Sequence, residues 1–156
     1  VETLLTKYPQ VRLLFGTHNI QELPSMLYSC MFEGKKVVKI YSKEGEVYEN
    51  LPVHRFGTFK AWVNIMYGCD KFCTYCIVPY VRGREKSREP KEIIREIERL
   101  VADGVKEVML LGQNVNSYGK TLDDNVTFAE LLGEIAKIDG LERIRFHILR
   151  ICLMSL

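Results

Sequence analysis

The chain lacks any apolar run long enough to cross a bilayer. Its longest such stretches, around residues 108–111, fall far short of the ~20 residues that a spanning helix needs, so no membrane partner is expected. It also lacks a basic segment followed by an apolar one near its first residue, so no signal peptide is visible, and a cytoplasmic protein is expected. There is no internal repeat and no low-complexity tract, which argues against solenoid and disordered architectures. Charge of one sign is not in excess: 22 Lys and Arg against 20 Asp and Glu give a net +2, which permits nucleic-acid binding without requiring it. An initiator Met is missing, and the first residues read as the middle of a helix. The expectation is a fragment of a longer protein. At 156 residues it has room for one sizeable domain, or one and a half small ones.

A disulfide framework is missing too. The five cysteines are odd in number and three of them fall within eight residues, whereas a secreted scaffold would spread and pair them. Cys69, Cys73 and Cys76 stand in Tyr67-Gly-Cys-Asp-Lys-Phe-Cys-Thr-Tyr-Cys76, a C-x3-C-x2-C spacing directly after an apolar, strand-like run. Three thiolates on one short loop can hold three irons of a cubane cluster and leave the fourth open to a small molecule. An electron-transfer cluster normally has all its irons ligated by protein. The competing reading is a structural zinc site, which needs a fourth ligand. His54 or His147 could be drafted, but neither has knuckle spacing to the triad. Cys30 and Cys152 are isolated and read as buried or incidental thiols.

Hydrophobic periodicity divides the chain near Pro52. Before it, residues 1–8 read as a helix ending at Pro9, 11–15 as a strand, 16–19 as a turn and cap, 20–28 as a short helix with Pro24 near its start, and 36–41 as a strand. Residues 44–46 form a turn and 49–55 an extended linker. After it, residues 60–66 form a strand that runs into the cysteine loop. Residues 91–102 form a helix entered by Pro90 and stopped by Gly104, with Ile93, Ile94, Ile97, Leu100 and Val101 on one face. Residues 105–111 are nearly all apolar, the pattern of a parallel strand covered on both faces. A polar loop follows at 112–119. Thr127 and Glu130 make a capping box for a helix to residue 138, Gly140 ends it, and 143–148 form a third strand. Strand and helix alternating at this spacing predict an α/β fold with a parallel sheet, and chemistry at the C-terminal ends of its strands. Trp62 and the methionines read as core. His18 and His54 read as structural or capping.

Two long motifs extend the triad: residues 67–88, ending Ile77-Val-Pro-Tyr-Val-Arg-Gly-Arg-Glu-Lys-Ser-Arg88, and Leu110-Leu-Gly-Gln-Asn-Val-Asn-Ser-Tyr-Gly119. Phe15-Gly-Thr-His-Asn-Ile20 lies upstream. Together they resemble the radical S-adenosylmethionine (SAM) enzymes, and among these the methylthiotransferases, most of all the MiaB-like branch that modifies tRNA. The resemblance covers roughly residues 1–146. It implies a partial radical-SAM (β/α) barrel over 51–148, preceded over 1–50 by the C-terminal part of an α/β methylthiotransferase N-terminal domain. Residues 149–156 form an atypical tail, where a truncation or frameshift is the simplest account.

The resemblance further implies that Cys69, Cys73 and Cys76 bind a [4Fe-4S] cluster whose open iron chelates SAM, and that reductive cleavage of SAM yields a 5'-deoxyadenosyl radical. Tyr75 would lie against the adenine or ribose of SAM, and Gly112, Gln113, Asn114 and Asn116 would meet its methionine end. Gly68 would let the backbone approach the cluster. Arg82, Arg84 and Arg88, with Lys86 and Tyr80 beside them, are candidate contacts to substrate or phosphate. The implied activity is transfer of a 2-methylthio group to N6-isopentenyladenosine next to the tRNA anticodon. Implied partners are tRNA, an electron donor such as flavodoxin or ferredoxin, and a sulfur source, with the enzyme a monomer. A second [4Fe-4S] cluster, the sulfur donor, belongs to the full-length parent, because no second cysteine triad is present here; the fragment is then inactive alone. Alternatives are a methylthiotransferase for threonylcarbamoyladenosine or for a ribosomal-protein aspartate, and, from another class, a zinc-stabilised RNA-binding module.

Overall fold

The computed structural model describes residues 2–40, 57, 59–124 and 126–147. The turn expected at 44–46, the linker expected at 49–55, His54, Cys152, the tail at 149–156 and the side chain of His18 lie outside the described residues. The chain divides into two compact units, 1–46 and 47–156. No helix among the described residues is long and apolar enough to cross a membrane.

In the first unit, α1 (Glu2–Lys7) leads to β1 (Leu13–Phe15), a 3-10 helix (Thr17–Glu22), α2 (Leu23–Phe32) and β2 (Val37–Lys39). β1 and β2 pair in parallel, Leu14 opposite Val38. The helix expected from residue 20 begins instead at Leu23. Pro24 is the reason: it fits a first turn, where its missing N–H costs nothing, so the α-helix starts around it and the preceding segment stays in the tighter 3-10 form. Met26 and Cys30 point into the packing, and the Cys30 thiol lies 3.4 Å from the Arg12 carbonyl.

The second unit is a three-stranded parallel sheet: β3 (Lys60–Asn64), β6 (Glu107–Leu111) and β7 (Arg143–Phe146), with β6 in the middle. Between them come β4 (Met66–Tyr67), α3 (Val78–Arg82), β5 (Lys86–Ser87), α4 (Pro90–Ala102), a 3-10 turn (Val115–Ser117) and α5 (Phe128–Ile135). The strand expected over 60–66 therefore breaks at Ile65. Its last residues turn away and pair antiparallel with β5, Met66 opposite Ser87.

The core lies where α4 and α5 cover one sheet face. Ile93 and Ile97, one turn apart on α4, are fully buried with Val63, Val108 and Leu110 beneath them and Leu131 and Ile135 from α5. Burying each such side chain is worth about 1.5–3 kcal/mol. α5 opens with the expected capping box: Thr127 Oγ accepts from the Glu130 amide, and the Glu130 carboxylate accepts from the Thr127 amide. It ends at Ile135 rather than residue 138, because Lys137 and Ile138 donate to carbonyls three residues back and tighten the chain into turns.

Trp62 is not core. Strand alternation gives the covered face to Ala61 and Val63, and the Trp62 ring lies on the opposite face, 68% exposed. Met26 and Met66 are buried as expected, but Met31 is exposed.

Candidate functional site

β3 delivers the chain to an excursion, residues 68–85, that the two-residue β4–β5 ribbon closes at its base. All three clustered cysteines sit on it. The path is tight at Gly68, where φ is +70° and a Cβ would come within 2.0 Å of the Arg84 carbonyl oxygen, so glycine is required there. The Cys69 amide donates to the Gly83 carbonyl (3.2 Å), and the Glu85 amide to the Asp70 carboxylate (3.3 Å), which pins the two arms together. Further out, Phe72 adopts φ +35°, a left-handed conformation that costs a non-glycine residue about 1–2 kcal/mol. This turn curls the loop just ahead of Cys73, and the Cys76 amide then donates to the Cys73 carbonyl.

Cys69 is buried, while Cys73 and Cys76 are half-buried. Burial pushes the Cys69 thiol up, the Lys71 amide offsets part of that, and repulsion from Glu85, Cys73 and Cys76 adds to it. Among the described residues, no three His, Cys, Asp or Glu side chains are set to hold a single metal ion.

The second part of the site follows β6. Gly112 packs so closely on Met66 that a Cβ would lie 2.5 Å from its Cγ. Gln113 carries a buried Oε1 with no hydrogen-bond partner. Asn114 is buried and spends its amide on the Ser117 hydroxyl, whereas Asn116 is exposed. Ser87 on β5 accepts from the Gly119 amide at 2.9 Å, so the ribbon and the Gly112–Gly119 loop are fastened together.

The expected basic trio separates. Arg82 and Arg84 are exposed, and the Arg84 guanidinium lies over the Phe72 ring, 5.1 Å from its centroid, and 3.5 Å from Asp70. Arg88 is instead buried. Its guanidinium binds Glu96 on α4 at 2.8 Å and donates to the Asn64 carbonyl. Charge patterning treated the three alike; the step of the chain from ribbon to helix at Arg88 is what takes it inside. Tyr75 is almost bare, at 86% exposure. Tyr118, Ser87 and Glu96 belong to the site's frame, and nothing in the local sequence distinguished them from ordinary loop and helix polar residues.

Residues 63–154 match the Radical SAM superfamily. The chain belongs to that superfamily. Its relatives include a Bacillus pumilus protein (strain SAFR-032) named tRNA-2-methylthio-N(6)-dimethylallyladenosine synthase, 57% identical over 94% of this chain. Proteins of the same name from Clostridium botulinum (strain Alaska E43 / Type E3) and Bacillus cytotoxicus are 54% and 56% identical over 93% and 94% of it. The chain spans 29–32% of the length of these curated relatives.

The radical SAM family uses a [4Fe-4S] cluster and SAM, and the residues here fit that pair. A cubane gives each thiolate its own iron, so three thiols on one loop need not converge on a single point. An iron–sulfur core would also relieve the mutual repulsion at Cys69. The orphaned Gln113 acceptor is suited to a donor such as the amino group of SAM.

Proposed function

We propose that this chain is the radical-generating part of a methylthiotransferase that adds a 2-methylthio group to N6-isopentenyladenosine beside the tRNA anticodon. The observation that carries the reading is the identity of 54–57% with synthases of that name over 93–94% of the chain. The three parallel strands would be the first strands of a (β/α) barrel, and the first unit the end of an N-terminal methylthiotransferase domain. Identity at this level favours the isopentenyladenosine branch over the threonylcarbamoyladenosine and aspartate alternatives, and over a zinc module.

Cys69, Cys73 and Cys76 would hold the cluster. The bound pair supplies one-electron cleavage of a sulfonium C–S bond and so a 5'-deoxyadenosyl radical. The chain's own residues do the rest. Gly68 and the left-handed turn at Phe72 shape the cysteine loop, and Gly112 and Gln113 bring backbone and an acceptor to the methionine end. Asn114, committed to Ser117, shapes that loop from within, and Asn116 is free to reach the ligand. Tyr75 would cover the adenine or ribose and exclude water. Arg82 and Arg84 would meet phosphate, whereas Arg88 braces the frame. A protein electron donor, a sulfur source and a second cluster would act with the full-length parent, a cytoplasmic monomer.

The test is anaerobic reconstitution with iron and sulfide, reduction, and electron spin resonance with and without SAM. A cubane signal that SAM perturbs is expected. No cubane, or a signal blind to SAM, would defeat the reading. For the substrate, tRNA nucleosides from a strain deleted for the full-length parent should lose 2-methylthio-isopentenyladenosine, and unchanged levels would sink that assignment.

A further inference from the structure

α3 buries none of its five residues, although it carries Tyr80 and Val81 and follows Ile77. Tyr80 is 73% exposed, and its ring meets Phe72 edge-to-face at 5.9 Å. Arg84 covers the Phe72 ring from another side. Phe72 is thus held in place by its left-handed backbone, by Arg84 and by Tyr80, while most of the Tyr80 ring faces solvent. Lys71, Arg82 and Arg84 are exposed around this pair, with Arg84 3.5 Å from the Asp70 carboxylate. An apolar surface of this kind is costly to leave in water, and bare rings interleaved with cations are what a flexible polyanion with flat bases requires.

We propose that Tyr80 is a stacking platform for one base of single-stranded RNA, with Phe72 as its fixed wall and Arg82 and Arg84 as phosphate contacts. The inference rests on the RNA substrate proposed above, and assigns it a docking surface outside the SAM-facing residues. An acidic protein would satisfy the cations but has no special use for an open aromatic face.

The probe is a fluorescein-labelled RNA hairpin with a purine-rich single-stranded loop, titrated by anisotropy against this chain reconstituted with iron and sulfide. Tyr80→Ala should weaken binding roughly tenfold, as loss of one stacked base does, and Tyr80→Phe should retain it. Arg82→Ala and Arg84→Ala should each lower the slope of log affinity against log salt by about 0.7. The same stem without a loop should bind the parent and Tyr80→Ala alike. Tyr80, Arg82 and Arg84 are all exposed, so these variants keep the core, which circular dichroism checks. The proposal is overturned if the parent chain binds no loop RNA, if Tyr80→Ala binds it as well as the parent, or if Tyr80→Phe loses as much as Tyr80→Ala. Patch variants that keep RNA affinity but slow cluster reduction by a reduced flavoprotein would overturn it in favour of a reductant's docking face. The spin resonance experiment is independent of all of these, so a missing cluster and a missing RNA platform are separate failures.

Discussion

Tyr118 donates its hydroxyl hydrogen bond to the backbone carbonyl of Arg88 across 2.8 Å, both residues buried. The bond joins the loop after β6 to the end of the ribbon that closes the cysteine excursion. Arg88 in turn reaches Glu96 on α4 and the Asn64 carbonyl at the end of β3. The two halves of the site are therefore framed by one arginine and one tyrosine, neither of which needs to touch a ligand.

Tyr118→Phe removes one buried hydrogen bond and should lower stability by about 1 kcal/mol. Arg88→Ala should cost more, about 2–3 kcal/mol, because it leaves the partly covered Glu96 carboxylate and a carbonyl without their partner. Urea unfolding midpoints check both, with the denaturant slope unchanged. Equal, negligible losses would show that the frame is held elsewhere.

Gly68→Ala should block assembly of the cysteine loop while sparing the sheet. The added methyl meets backbone, not a flexible side chain, at 2.0 Å, and the position already has a positive φ. The expected result is near-native far-ultraviolet circular dichroism with little iron retained after reconstitution. Full iron content in this variant would mean that the two arms can separate at little cost.

The parallel sheet, α4 and the capping box of α5 were legible because each is written in local pattern: an apolar run, a 3.6-residue period, a Thr and Glu three residues apart. Trp62 was misread because burial of a large apolar side chain is decided by which side of the pleat it occupies, and its own strand gives the covered side to Ala61 and Val63. Arg88 was grouped with Arg82 and Arg84 because charge spacing carries no information about a ribbon folding back at Ser87. The cysteine loop announced itself by composition alone. What holds it in shape, Gly83 and Asp70 across the ribbon, depends on a pairing of Tyr67 with Lys86 that no short-range signal predicts.

Glu107 faces Arg143 at 2.8 Å, Arg145 at 3.1 Å and Lys60 at 3.4 Å, from both neighbouring strands. The hydrogen bond from Arg143, offset in part by burial and reinforced by Arg145 and Lys60, holds its carboxyl below the ordinary value of 4.5. A depressed folded-state value means that the stabilisation is complete above the unfolded value and is lost as pH falls through the folded one. Glu107→Gln should therefore be less stable than the parent at neutral pH, with the gap narrowing only below about pH 4.5. A gap independent of pH down to the acid limit would remove the ionised carboxylate from the explanation.

Replacing each clustered cysteine by serine separates ligation from packing. Cys69→Ser, Cys73→Ser and Cys76→Ser each take one thiolate from one iron, and a cubane held by two thiolates should lose most of its iron and its SAM-dependent spin resonance signal. Cys69→Ser also puts a hydroxyl into a buried position, so before reconstitution it alone of the three should lower the unfolding midpoint; the half-buried Cys73 and Cys76 should not. Cys30→Ser is the control. Its thiol is buried against the Arg12 carbonyl in the first unit, so it should change stability and leave iron content and the signal intact. Iron analysis and spin resonance on the four variants read this directly: iron lost from Cys30→Ser, or kept by Cys73→Ser and Cys76→Ser, would move the cluster off this loop.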